Sequence, residues 1–184
     1  MAELQMQDIR RRHINLMHKT AEILGRLLTA ISQEQAQVLS DGPEGWTIVA
    51  VMCHLRDYDT IFRNRAQTML EQEHPTLPAY DQNAMAVEKG YAEEQLAYVY
   101  DEFRLSRQQT RDFFEALTDE QWERTAIHPE RGHFSMTDAV IQVSHHDIDH
   151  IEQITHILDQ NVPDVLPIEV FDDEDDTDEE TDEG

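Results

Sequence analysis

The chain of 184 residues carries a formal net charge of −25, is 39% hydrophobic and contains a single cysteine. This length allows one domain with a substantial core, and one cysteine excludes an internal disulfide framework. The acidic balance argues against nucleic-acid binding, which needs a basic face, and no apolar run approaches the roughly 20 residues of a membrane span. Since the N-terminal segment also lacks a signal-peptide apolar region, we expect a cytoplasmic protein that binds neither nucleic acid nor membrane.

Apolar residues recur at steps of three and four along four stretches of the chain, which predicts four long amphipathic helices. They are predicted over residues 8–31, 47–70, 93–117 and 135–160. Thr47 is a suitable N-cap for the second helix. Ser135 and Asp138 match the capping-box pattern at the start of the fourth.

The segments between the helices are polar or contain helix breakers. Residues 71–90, interrupted by Pro75 and Pro78, form a long connection that either covers a site or crosses the end of the bundle. Residues 118–122 are typical of a short capped helical turn, and residues 128–134 of a loop. With no strand-like alternation, the pattern predicts an all-α four-helix bundle with a long crossover between its second and third helices.

The chain divides into a predicted four-helix bundle over residues 1–166 and an acidic C-terminal tail over residues 167–184. Residues 169–184 contain 11 acidic residues and no basic one. Such a segment cannot bury enough apolar surface to offset the entropy of ordering it, so we expect a disordered tail that is dispensable for folding.

Three histidines carry the clearest chemical signal. His146 and His150 lie four residues apart in the fourth predicted helix, so their imidazoles leave one face about 6 Å apart. His54 lies on the apolar face of the second helix, where a lone histidine would ordinarily be a core residue. Cys53 and His145 are each rotated by about 100° from the neighbouring histidine, which predicts a buried thiol and a surface histidine.

Three imidazoles from two helices are typical of a catalytic metal site, which keeps open positions, rather than of a closed structural one. Zinc, nickel, iron and manganese all accept such ligands, so the residues do not select the metal. Arg107 interrupts the apolar stripe of the third helix. An arginine there either pairs with a buried acid or binds an anionic substrate.

The chain resembles the DinB-like superfamily of metal-binding four-helix bundles over about residues 8–160. The matching segments are Trp46-Thr-Ile-Val-Ala-Val-Met-Cys-His-Leu55, Leu77-Pro-Ala-Tyr-Asp-Gln82, Arg107-Gln-Gln-Thr110 and His146-x3-His150-Ile-Glu-Gln-Ile154. The resemblance implies that His54, His146 and His150 ligate one divalent metal, zinc or nickel foremost, with iron and manganese as alternatives. Many members carry a glutamate at the position of Ala50, and this chain lacks that acid.

The family includes metal-dependent transferases and isomerases that use thiols such as bacillithiol, mycothiol or glutathione. The resemblance therefore implies a metal-dependent thiol S-transferase, or a related enzyme, acting on a small molecule. Tyr58, Tyr80 and Arg107 are candidates for orienting that substrate. Two alternatives stay open: a non-catalytic metal-binding or interaction module whose acidic tail contacts a partner, and a structural bundle with vestigial histidines. An open pocket above the metal would favour the enzyme, and a plugged one the module.

The resemblance also implies a homodimer. Ile141 and Ile148 lie on a second face of the fourth helix, bordered by Ile151 and Thr155. These residues need cover either from a second subunit or from neighbouring helices of the same bundle. Because two acidic bodies repel each other, a dimer should tighten as salt rises.

Overall fold

The computed structural model of the protein describes residues 2–43 and 45–162, so the predicted tail, residues 167–184, lies outside the described residues. In chain order the elements are α1 Ala2–Leu28, α2 Gln33–Val38, α3 Ile48–Glu71, α4 Gln82–Glu88, a 3-10 helix Tyr91–Glu93, α5 Leu96–Glu115, α6 Asp119–Trp122, β1 Thr125–His128, β2 Gly132–Ser135 and α7 Met136–Asn161. The four predicted long helices are α1, α3, α5 and α7. None of the described helices is long and apolar enough to cross a membrane.

Side-chain caps begin the helices where the sequence predicts them. Thr47 caps α3 by accepting a hydrogen bond from the backbone N–H of Ala50. Ser135 and Asp138 form the capping box of α7, and the predicted short helix α6 also begins with a capping box. These caps satisfy backbone N–H groups that the first turn of a helix leaves free. The helix starts are therefore fixed by local chemistry.

The region predicted as a loop, residues 128–134, belongs instead to a β-hairpin. β1 and β2 pair antiparallel with Ala126 opposite Phe134, and both of these side chains are buried. The backbone N–H of Leu77 in the crossover donates to the carbonyl of Ile127 at 2.9 Å, which anchors β1. Each strand has four residues, so there is too little alternation for the sequence to indicate them.

The long crossover contains structure that the sequence does not predict. α4 lies within it, and the segment after α4 is tied to α3 by the carboxylate of Asp57. That carboxylate accepts hydrogen bonds from Lys89 at 2.8 Å and from the Tyr91 hydroxyl at 2.6 Å. α2 likewise follows α1, which ends at Leu28 rather than at the predicted residue 31. The connections are thus packed against the bundle.

Contacts between side chains give the directions of the long helices. Arg10 of α1 bonds Thr137 of α7, and Thr20, further along α1, bonds Asp147, further along α7, so these helices are parallel. By the same criterion α3 and α5 are parallel, whereas α3 and α7 are antiparallel, since His54 contacts His150 and the later Tyr58 contacts the earlier His146. The bundle therefore runs up, down, down, up, and the parallel pair α3 and α5 is what requires the long crossover.

A buried polar network joins all four long helices. Arg107 of α5 donates from Nε to both carboxylate oxygens of Asp59 on α3, at 3.1 and 3.0 Å, and from Nη2 to Asp147 on α7 at 2.8 Å. From α1, the Met17 carbonyl accepts from Arg107, and the Thr20 hydroxyl donates to Asp147. Since Arg107 is 3% exposed and held by two carboxylates, the structure favours the ion-pair interpretation over substrate binding.

The second apolar face of α7 is largely covered by the protein's own core. Ile141 and Ile151 each pack against buried hydrophobic residues of the bundle. Ile148 remains 42% exposed. Packing within one bundle therefore explains Ile141 and Ile151, whereas the described residues cover Ile148 only in part.

Candidate metal centre

Three imidazoles from α3 and α7 converge inside the bundle. The Nε2 atom of His146 lies 2.9 Å from that of His54 and 3.2 Å from that of His150. The candidate ligand atoms of the three residues all lie within 4.8 Å of one another. These separations suit nitrogens that surround one ion at about 2.0–2.1 Å, as imidazoles surround zinc. The structure thus brings together the three predicted ligands.

Aromatic rings hold two of the imidazoles in place. Tyr58, one turn after His54 on α3, stacks on His146 with ring centroids 3.4 Å apart and planes within 5°. Trp46 meets His54 edge-on at 4.9 Å. His54 is 3% exposed, while His146 and His150 are half-buried. The two histidines of α7 are therefore less buried than His54.

The donor set of the triad fits a metal ion. A neutral imidazole has one N–H donor and one lone pair, so three converging Nε2 atoms cannot all satisfy one another by hydrogen bonds. A cation between them accepts a lone pair from each. The buried Nδ1 of His146 has no hydrogen-bond partner within the described residues, so the orientation of this imidazole rests on the stacked ring of Tyr58.

The electrostatics of the triad keep it in the ligating form. Burial, and next the neighbouring His150, lower the pKa of His54 to about 3. Burial is also the main cause that lowers the pKa values of His146 and His150 below the usual 6.5. The imidazoles are therefore neutral at physiological pH, and a neutral imidazole is the form that binds metal.

These lowered pKa values predict a metal affinity that resists mild acid. A free imidazole titrates near 6.5, so protons compete with metal below that pH, whereas His54 is still neutral there and the pKa values of His146 and His150 are also lowered. We expect the dissociation constant, measured by chelator competition, to change less than about threefold between about pH 7.5 and about pH 5.5. An affinity that falls about tenfold per pH unit below 6.5 would contradict this expectation.

The same lowered pKa values determine whether the free energy of unfolding of the metal-free protein rises or falls with pH. Below pH 6.5 the unfolded chain binds protons that the folded triad does not. The contribution of the triad to the free energy of unfolding is therefore complete above 6.5 and decreases as the pH falls.

A hydrogen-bond chain orients His150 from outside the triad. Its Nδ1 lies 2.7 Å from Oε1 of Gln153, and Nε2 of Gln153 donates to the carboxylate of Asp41 at 2.6 Å. Because a carboxylate only accepts, the amide N–H of Gln153 must face Asp41 and its Oε1 must face His150. Nδ1 of His150 then carries the proton, and Nε2 presents its lone pair to the metal.

Replacing Gln153 by leucine should therefore weaken metal binding while leaving all three ligands in place. Loss of such an outer hydrogen bond typically costs about 10–100-fold in affinity, and we expect a loss of that size in the chelator competition. Gln160→Leu is the matched control, because Gln160 contacts the exposed His156 on the same helix at 2.8 Å. Equal affinities for the two variants would show that the hydrogen-bond chain does not act on the metal.

A cleft of about 540 Å³ lies next to the triad, and Tyr58 both lines this cleft and stacks on His146. It is lined by side chains of α3, α7, the crossover and the hairpin, including Tyr58, Phe62, Arg65, Tyr80, His128 and Gln142. Two of the three predicted substrate residues, Tyr58 and Tyr80, therefore lie in one cleft, whereas Arg107 is in the buried network. Burial raises the pKa of each tyrosine, so both hydroxyls stay protonated and serve as donors.

Cys53 and Ala50 supply no group to the triad. Cys53 is fully buried, and burial raises the pKa of its thiol to about 12, so it is a core residue and not a thiolate nucleophile. Ala50 is buried in the core as well. The carboxylate that many family members carry at this position is absent, and the cluster consists of three histidines.

Sequence reasoning missed several residues of the cleft. Arg65 follows Tyr58 by seven residues on α3, and this spacing on one helix face was a usable signal. His128 is brought to the cleft by the hairpin that the sequence did not predict. Gln142 precedes His146 by one helical turn, which also marked it as a neighbour of the site.

Comparisons with known proteins agree with this architecture. The family model described as the DinB superfamily matches residues 16–154. YfiT from Bacillus subtilis, described as a probable metal-dependent hydrolase with an unusual four-helix bundle topology, superposes with a TM-score of 0.75 at 20% identity, covering 82% of this chain and 86% of that one. The mycothiol-dependent maleylpyruvate isomerase superposes with a TM-score of 0.66 at 12% identity, covering 79% of this chain and 60% of that one. A search of curated proteins finds no significant match.

Proposed function

Because the chain belongs to the DinB superfamily, we propose that it is a metal-dependent enzyme that joins a low-molecular-weight thiol to a small electrophile. The observation that carries this proposal is the convergence of His54, His146 and His150 beside a cleft. Three protein ligands, rather than four, are typical of catalytic sites because they leave room for a substrate. Zinc and nickel are the metals we favour, on the family resemblance and not on the type of ligand, since imidazole accepts other divalent metals as well.

When bound, a divalent metal lowers the pKa of a coordinated thiol, so that thiolate is present at neutral pH. The chain's own residues supply the remaining functions. The half-buried α7 side of the triad admits the thiol, and the Tyr58 and Tyr80 hydroxyls donate hydrogen bonds to the electrophile in the cleft. The thiol gives up its proton to solvent, and its sulfur bonds to the electrophilic carbon as the bond from that carbon to its leaving group breaks, which releases chloride in the case of monochlorobimane.

The test is an adduct assay on protein purified without an affinity tag. Metal-loaded protein is mixed with bacillithiol, mycothiol or glutathione and the electrophile monochlorobimane, and formation of the fluorescent adduct is followed. We expect a rate above that of metal-free protein and of the His146→Ala, His150→Ala double variant. Equal rates for all three samples with every thiol would contradict the proposal.

One observation favours a second function, a non-catalytic metal-binding module. The lining of the cleft does not include the three histidines, and Tyr58, which stacks on His146, is the residue that joins the cleft to the triad. Cobalt-substituted protein separates the two functions, because its visible and near-ultraviolet absorption reports on what reaches the metal. A spectral change on adding thiol supports the enzyme, and an unchanged spectrum at saturating thiol supports the module.

We also propose that the protein is a homodimer that associates through α1 and α7. Ile9 and Ile23 on α1 are 38% and 42% exposed, and Ile148 on the adjacent α7 is 42% exposed. Together they offer apolar surface that a second subunit would cover.

The dimer proposal predicts that light scattering gives twice the mass of one chain. The dimeric fraction should increase from low to moderate salt, since salt screens the repulsion between acidic subunits. Ile148→Lys should give a monomer. Val87→Lys, at a position 83% exposed on α4, should not change the mass. A monomeric wild type at both salt concentrations would remove the dimer and leave the metal site unaffected.

A further inference from the structure

The cleft beside the triad contains a buried arginine that forms no ion pair with any of the residues that the structure describes. Arg65 is 5% exposed, and its Nη2 donates to the carbonyl of Pro78 at 2.6 Å. Its Nη1 lies 3.4 Å from Nε2 of His128, and its Nε has no acceptor. Among the described residues, no carboxylate lies within ion-pair distance of this guanidinium, in contrast to Arg107 with its two carboxylates.

Neither its neighbours nor its own titration neutralises Arg65. Burial, and next the charge of Arg65, lower the pKa of His128, so that imidazole is neutral, and its one lone pair faces either Nη1 of Arg65 at 3.4 Å or the backbone N–H of Glu130 at 3.3 Å. An arginine side chain stays protonated in proteins, even though burial lowers the pKa of Arg65. The cleft therefore holds a positive charge that has no ion-pair partner among the described residues, although the charge of Glu130 acts on it from a greater distance, and such a charge is costly to bury.

The two acidic residues that line the cleft do not pair with Arg65, because one of them caps a helix and the other is exposed to solvent. Asp81 caps α4, where its Oδ1 accepts from the backbone N–H groups of Asn83 and Ala84 at 2.9 and 3.0 Å. Glu130 is exposed and forms no ion pair with Arg65. The guanidinium instead lies over the rings of Phe62 and Tyr80, at 5.0 and 5.4 Å from their centroids.

We propose that this cleft binds a small molecule with a carboxylate group, which Arg65 anchors while Tyr58 and Tyr80 contact its apolar body. The proposal adds a substrate class to the proposed function. It rests on that function only in identifying the bound carboxylate compound as the electrophile. Arg65 lies seven residues, or about 10 Å along α3, beyond Tyr58. A carboxylate held at Arg65 thus places the other end of the molecule at the ring that borders the triad.

The test is direct binding, which requires neither metal nor thiol. Metal-free protein is titrated calorimetrically with benzoate and with benzamide, a neutral molecule of the same shape. Because hydrogen bonds to charged groups are the strong ones, we expect benzoate to bind at least about tenfold more tightly than benzamide. Equal affinities, or no benzoate binding at millimolar concentration, would overturn the proposal. Metal-free protein is used so that benzoate cannot bind through the ion.

Variants locate the anion on Arg65. Arg65→Met should reduce benzoate affinity by at least about tenfold and leave benzamide unchanged, and Arg65→Lys should lie between. Arg63→Met is the control, because Arg63 carries the same charge on α3 but bonds Ser106 and Thr110 on α5. Undiminished benzoate affinity in a folded Arg65→Met protein would contradict the assignment. If Arg65→Met does not fold, Arg65→Lys and the wild-type comparison decide. Because these titrations involve no turnover, they can fail or succeed independently of the adduct assay.

Discussion

Replacing Arg107 by leucine is expected to destabilise the metal-free protein by about 3–5 kcal/mol. The substitution would leave Asp59 and Asp147 buried, with 0% and 1% exposure, and without their common cation. Removing one member of a buried ion pair is costly because the remaining charge keeps its desolvation penalty. Denaturant unfolding followed by circular dichroism measures the loss as a shift of the midpoint at constant slope.

Arg104→Leu is the matched control for this experiment. Arg104 lies on the same helix, but its guanidinium pairs with Asp101 at 3.8 Å on the protein surface. Exposed pairs of this kind contribute about 0–1 kcal/mol, so the control should unfold close to the wild type. A loss for Arg107→Leu that is no larger than that for Arg104→Leu would show that the network does not hold the four helices together.

The second large effect is expected on metal content and on the stabilisation that metal binding provides. The double variant His146→Ala, His150→Ala removes two of three ligands, and protein purified without an affinity tag should then contain no stoichiometric metal by elemental analysis. Wild-type protein should gain about 4 kcal/mol of stability when free metal is about 1,000 times its dissociation constant, and the variant should gain none.

Two other histidines of α7 provide a control that shows whether the loss of any two imidazoles from this helix would remove the metal. His145 and His156 are exposed, so the double variant His145→Ala, His156→Ala loses the same number of imidazoles from the same helix. It should retain the metal content and the metal-dependent stabilisation of the wild type. Full metal occupancy in the His146→Ala, His150→Ala protein would remove these residues from the ligand set.

Much of the fold could be predicted because apolar residues recur at a regular spacing along each long helix. Apolar steps of three and four mark the four long helices, and single side chains such as Thr47 and Ser135 mark where two of them begin. The hairpin could not be predicted in this way. Its strands are four residues long, and β1 is held by the distant crossover through Leu77, a contact that no local pattern contains.

In the candidate site, too, local spacing predicts some features, and contacts between distant residues determine the others. The spacing of His146 and His150 places them on one face, and the apolar stripe places His54 inward, so convergence followed from helix geometry. Asp41 lies 112 positions before its hydrogen-bond partner Gln153, and only the folded chain brings the two together. Arg107 was visible as a charge inside an apolar stripe, but its partners Asp59 and Asp147 depend on how the helices pack.

The central claim is that three histidine Nε2 atoms hold one divalent ion, and anomalous X-ray scattering from crystals of untagged protein tests it most directly. Data collected on both sides of the absorption edge identify the element and place it. We predict one anomalous peak at about 2.0–2.2 Å from Nε2 of His54, His146 and His150. A metal bound elsewhere, or no peak at the triad in protein saturated with zinc or nickel, would contradict the claim.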